Sequence, residues 1–272
     1  MHRLRVGEES GRGMEMKCFR LIDEGGNFSG KCVKVLHRFG KYWQSREGRF
    51  WHESLGCAKE VMDPSFAVLD QVELVFSDGR VEREEFVVVE DFYEDYVERV
   101  LRLGDFGRDD LAQMMDLIRW GYNLRVNHER GLDLMGGGLV KDVLKGFPQA
   151  IILALARGDL REKVATILPG VLGQARNVIR MDDGELVCSD LGMHDLSEGA
   201  KFARTNRLYN SIVFAGLIEM VGVLNARLPK EERFSDAEIE ELPCVAGPAV
   251  QKFAAGLFKL MLPVFECRQK SV

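Results

Sequence analysis

The sequence predicts an α+β protein: an N-terminal antiparallel β-rich module of five or six strands and hairpins, followed by a mainly α-helical, bundle-like module. Three observations predict it. Up to about residue 90, short apolar runs alternate with polar residues and break at Gly, Asp and Asn, the pattern of half-buried strands. Beyond residue 91 the apolar residues recur at helical intervals. Strong charge contrasts are concentrated in the first third of the chain. These place a flexible arm at residues 1–13, the β-rich module at 14–90 and the helical module at 91–272.

The elements follow in order. Residues 1–13 are polar and charged, so they read as a loose arm without the apolar core of a secretory signal. Residues 16–22 (MKCFRLI) and 31–36 (KCVKVL) read as strands separated by a Gly-rich turn. Residues 39–44 and 49–53 flank Arg46-Glu47-Gly48, which predicts a hairpin with Gly48 at a positive-φ position. The clearest hairpin joins 72–76 to 80–89 around Ser77-Asp78-Gly79, since Asp-Gly between alternating apolar residues suits a tight primed turn. Helices are then expected over 91–103, from Asp109/Asp110 to about Val126, over 139–147, from Asp159 to Pro169, over 170–181, over 197–228 and over 248–262. Asp182-Asp183-Gly184 reads as a turn, 185–188 as a short strand or an extended link, and Ser235-x-x-Glu238 as a capping box.

Composition narrows the function classes. With 272 residues, 46% hydrophobic and 29% charged, the chain can bury a proper core as one or two domains. A net charge of −6 argues against a general nucleic-acid coat or a membrane-surface binder, while leaving room for a local basic patch. The six cysteines form no CxxC pair and read as reduced thiols, which implies a cytoplasmic protein. Residues 211–226 are shorter than the roughly 20 residues of a span and contain Glu219, while 244–265 carry Pro248, Lys252, Lys259 and Pro263, so no membrane association is expected.

Two stretches invite a chemical reading. Between residues 31 and 52, Lys31, Lys34, Arg38, Lys41, Arg46 and Arg49 face one acid, Glu47, a local charge of +5 interleaved with Phe39, Tyr42, Trp43, Phe50 and Trp51. Cations that contact phosphates and aromatics that stack on bases together hold single-stranded nucleic acid. The candidate contacts are Lys34, Arg38, Lys41, Tyr42, Trp43, Arg46, Arg49 and Trp51. The segment 53–98 that follows carries a local charge of −11, so the basic stretch can also be satisfied internally or by a protein partner.

The second stretch, GGNFSGKC at 25–32, fits G-x-x-x-x-G-K, with Gly25, Gly30 and Lys31 as candidate nucleotide contacts and Cys32 where Ser or Thr would meet Mg²⁺. Residues 86–91 (FVVVED) resemble an apolar strand ending in acids. Against this, 31–35 are alternating and β-branched, whereas a phosphate loop opens a helix. Asp190, His194 and Glu198 would share one helix face, but Gly192 and Gly199 interrupt the run, and no metal site is assigned.

No catalytic constellation and no cofactor is expected. The reading is a non-enzymatic interaction or assembly protein that uses a charge-polarised β module on a helical scaffold, with a protein partner or self-association. One alternative is single-stranded nucleic-acid binding through 31–52; the other is a nucleotide- or metal-dependent enzyme using 25–32.

Overall fold

The structure, a computed structural model, describes residues 2–12, 16–22, 28–36, 48–95, 99–102, 106–132, 174–189, 193–199, 203–252 and 255–256. The chain divides into two compact units, Met1–Asp95 and Tyr96–Val272. It is mixed α+β with an N-terminal β module, as the alternation of apolar residues predicts.

In the first unit, β1 (His2–Arg12), β2 (Met16–Leu21), β3 (Lys31–Leu36), β4 (Ala67–Phe76) and β5 (Val81–Asp91) form a closed barrel in the order β1-β2-β3-β5-β4. Four of its pairings are antiparallel, and the barrel closes through a parallel pairing of β1 with β4, His2 opposite Val72 through Val6 opposite Phe76. The first dozen residues are therefore a strand, where an arm was expected. The reason lies in Leu4 and Val6, which alternate with charged neighbours and are 3% and 0% exposed inside the barrel. Phe19, Leu21, Val33, Val35, Leu74, Phe76, Val87 and Val89 complete that interior, with Phe19 and Phe76 edge to face at 5.4 Å.

The β4–β5 hairpin turns at Asp78-Gly79, where Gly79 adopts φ +83. Gln71 is also left-handed (φ 53), and across it the inward side of β4 switches from Leu69 to Val72. The hairpin expected over 39–53 is not formed in its second half. Its first half lies outside the described residues, but α1 (Gly48–Ala58) is a helix that packs on β4, where His52 Nε2 lies 2.8 Å from Asp70 Oδ2. Farther on, buried Asp63 accepts hydrogen bonds from Ser65 N–H and, at 2.7 Å, from the Tyr93 hydroxyl. Ser65 Oγ accepts from Asp91 N–H, so the end of β5 is tied to this loop.

In the second unit, α2 (Arg108–His128) packs against α3 (Ala203–Arg227). Asp110 accepts from Gly107 N–H at 2.9 Å and so closes the first turn of α2. Leu111, Met114, Met115, Ile118 and Leu124 on one helix, and Phe214, Leu217, Met220, Val221 and Leu224 on the other, are almost fully buried. Gly121 is needed where the helices meet, because a Cβ there would lie 2.7 Å from Cζ of Phe214. By length and composition α3 could cross a membrane, and 71% of its apolar window is buried inside the protein.

The C-terminal part contains more strand than its helical periodicity predicts. β6 (Val100–Arg102), β8 (Gln174–Arg180) and β9 (Leu186–Cys188) form a three-stranded sheet, and β7 (Arg130–Leu132) pairs with β10 (Met193–Asp195). Strands therefore replace helix at 100–102 and at 174–180, where short apolar runs suit either state and sheet pairing decides. The expected turn at Asp182-Asp183-Gly184 is present, with Gly184 at φ +89, and 186–188 is the expected short strand. The helices expected over 139–147 and 159–169 lie outside the described residues. Ser235 caps α4 (Asp236–Glu240), its Oγ accepting from Glu238 N–H while Ser235 N–H donates to Glu238.

Candidate functional site

The outer face of β2, β3 and β5 gathers the charged and sulfur-bearing residues of the barrel. Alternation turns Val33 and Val35 inward, which sends Cys32 and Lys34 to the other side; Phe19 inward likewise sends Cys18 and Arg20 outward. Lys31 and Asp91 are register partners, and Lys31 Nζ lies 2.6 Å from Asp91 Oδ1. Lys34 Nζ lies 2.7 Å from Glu90 Oε1, with both side chains largely buried (18% and 12% exposed). The Lys34 ammonium also stands 5.6 Å above the Phe66 ring. Two lysines of the basic stretch are thus held by the two acids that end β5.

This geometry corrects the phosphate-loop reading. Gly30 is left-handed (φ +73) in a turn where Lys31 N–H donates to Phe28 O, and the chain leaves it as β3, antiparallel to β5. No helix N-terminus follows to offer amides, and Lys31 is engaged by Asp91. Gly25 lies outside the described residues. So do Arg38, Lys41, Tyr42, Trp43 and Arg46 of the nucleic-acid set, whereas Arg49 and Trp51 fall in the first turns of α1, where a strand was expected. The helical face proposed for Asp190, His194 and Glu198 is not formed either, since His194 sits in β10 opposite Gly131. Among the described residues, no group of His, Cys, Asp and Glu is arranged to hold a metal ion.

Sequence reasoning overlooked the sulfur pair on this face. Cys18 stands opposite Lys34 in the β2–β3 register, and Cys32 stands opposite Arg20, one diagonal step away on the same face. On this face the Cys32 thiol donates to Glu90 Oε1, while the Ser10 hydroxyl, on β1, donates to the backbone carbonyl of Cys18 at 3.2 Å. Interaction with the Cys32 side chain, helped by Ser10 and the nearby Lys34 charge and opposed by burial, lowers the Cys18 thiol to about 6. The same interaction with Cys18, burial and the neighbouring Glu90 carboxylate push the Cys32 thiol up; Cys32 Sγ lies 3.7 Å from Glu90 Oε1. The available signal was the alternation itself, which puts Cys18 and Cys32 on one face once their strands pair.

Two further polar regions lie in the second unit. An open groove of about 840 Å³ is lined by Arg108, Asp110, Gln113, Arg180, Glu185 and neighbouring residues, and within it Arg180 pairs with Asp110 at 2.8 Å. Near the end of α2, half-buried Arg125 donates to Arg207 O, Asn210 Oδ1 and Ser211 Oγ. Burial and then the Arg207 charge lower its pKa. These bonds tie α2 to α3 and satisfy the oxygens of the buried Asn210 and Ser211, while Asn210 Nδ2 is buried without a hydrogen-bond partner.

No protein-family model matches the sequence, and neither does any curated protein. Among solved structures, the chain is similar at 14% identity and a TM-score of 0.34 to a chain of the CAK complex from Chaetomium thermophilum bound to ATP-γ-S, over 95% of this chain and 84% of that one.

Proposed function

We propose that the chain is a non-enzymatic interaction or assembly protein of a reducing, cytoplasmic compartment, which presents its acidic β4–β5 hairpin to a basic surface of a protein partner. The carrying observation is the charge of that hairpin. Between Ala67 and Asp91 stand eight acids against Arg80 and Arg83, and Asp70, Asp78 and Glu85 are exposed. Fields of one sign steer a complementary partner and set its register, more through the rate of association than through final affinity. The pairing of Lys31 with Asp91 and of Lys34 with Glu90 also favours this reading over nucleic acid, because both lysines already have carboxylate partners. The cysteines support the compartment, since the five described ones are free thiols.

The test uses the full chain at 50 and 300 mM salt. Sedimentation velocity reports self-association, and cross-linking followed by mass spectrometry reports partner contacts. Complexes that weaken at the higher salt, map to residues 67–91 and weaken about tenfold in Glu82→Lys/Glu85→Lys are expected. A monomer with no cross-linked partner at either salt overturns the reading. A low-salt shift with a single-stranded oligonucleotide, lost in Trp51→Ala, would replace it with nucleic-acid binding.

A further inference from the structure

We propose that Cys18 and Cys32 form a peroxide-reactive thiol pair, with Cys18 as the nucleophile and Cys32 as the thiol that closes a disulfide across β2 and β3. Adjacent antiparallel strands put both sulfurs on one face, one diagonal step apart in the register. The two residues differ in the way such a pair requires. Cys18 is partly exposed, so a small oxidant can reach it, whereas Cys32 is 2% exposed.

Their surroundings divide the work. Lys34, directly opposite Cys18, stabilises a thiolate there. Glu90 is the register partner of Cys32, and its carboxylate lies 3.7 Å from that sulfur, placed to accept the proton Cys32 must lose. Lys34 bonds the same carboxylate, so one ammonium links both halves of the site.

The chemistry balances with a hydroperoxide as the named oxidant. The Cys18 thiolate attacks the terminal peroxide oxygen; the S–O bond forms, the O–O bond breaks, and the leaving alkoxide takes a proton to become an alcohol (water, from hydrogen peroxide). Cys18 is oxidised by two electrons to the sulfenic acid and the peroxide is reduced. Cys32, losing its proton towards Glu90, then attacks the Cys18 sulfur. The S–S bond forms, the S–O bond breaks, and the departing hydroxide leaves as water with that proton. Partners one diagonal step apart bridge only if the strands move together slightly, so the second step is expected to be slower than the first.

The experiment treats the full reduced chain with hydrogen peroxide at pH 7 and maps its peptides without reduction. A Cys18–Cys32 linked peptide, two mass units lighter than the two thiols, is expected. In Cys32→Ser the Cys18 sulfenic acid should persist and be trapped by dimedone; in Cys18→Ser, Cys32 should stay unlabelled. The rate of Cys18 alkylation by iodoacetamide should titrate near pH 6, against about 8.5 for an ordinary thiol, with Cys57 in the same chain as the comparison. A wild-type chain whose Cys18 stays reduced, or is oxidised without linking to Cys32, overturns the proposal. So does an alkylation profile like that of Cys57.

Discussion

Lys34 shows what a single residue's partners change. Its charge, placed among the cations of 31–52, reads in the sequence as a phosphate contact, and its alternation with Val33 and Val35 correctly turns it away from the barrel interior. What alternation cannot supply is the carboxylate of Glu90, far along the chain, which the β3–β5 register brings to 2.7 Å. A nearly buried ion pair is costly to break and weak evidence of net stabilisation, because the charge left behind keeps its desolvation penalty. Lys34→Ala is therefore expected to lower unfolding stability by about 3 kcal/mol, and Lys34→Met combined with Glu90→Met to restore most of it. Urea unfolding of these two variants and the wild type checks this; a cost below about 1 kcal/mol would put the pair in the class of exposed salt bridges.

Among the elements, β1 and the crossing of α2 with α3 carry the clearest consequences. The polar character of 1–13 hides a strand because only Leu4 and Val6 mark its inner face, and two apolar residues are a thin signal until β4 supplies parallel hydrogen bonds. If β1 closes the barrel, Leu4→Ala removes a fully packed side chain and costs about 2–5 kcal/mol, measured by urea denaturation. The same substitution in a loose arm would cost less than about 0.5 kcal/mol. Gly121 presents the converse case. Alanine favours a helix over glycine by about 1 kcal/mol, yet Gly121→Ala drives a methyl against the buried Phe214 ring, with an overpacking cost of about 1–3 kcal/mol. Thermal unfolding should show a net loss, relieved by Phe214→Leu. The long helix α2 was legible because its apolar stripe runs for several turns; 100–102 and 174–180 were not, since three to seven residues do not distinguish helix from strand by period.

For the whole molecule, the chain-wide charge of −6 matters less than its arrangement. The acids of residues 53–98 divide between internal and outward duties: Glu90 and Asp91 hold lysines of β3, Glu73 holds Arg83, and Asp78, Glu82 and Glu85 lie on the exposed hairpin. Salt-weakened association that depends on the hairpin acids is the consequence at this scale, since screening falls on exposed charges and spares buried pairs. By itself the sequence determined the α+β class, the Asp-Gly hairpin, the long helices and the capped start of α4, because each depends on neighbours within a few turns or on a continuous apolar period. Tertiary structure alone decided the parallel closure by β1, the pairing of Lys31 and Lys34 with acids of β5, and the meeting of Cys18 with Cys32. Each of these depends on register between strands distant in sequence, and register is set by the packing of the whole barrel.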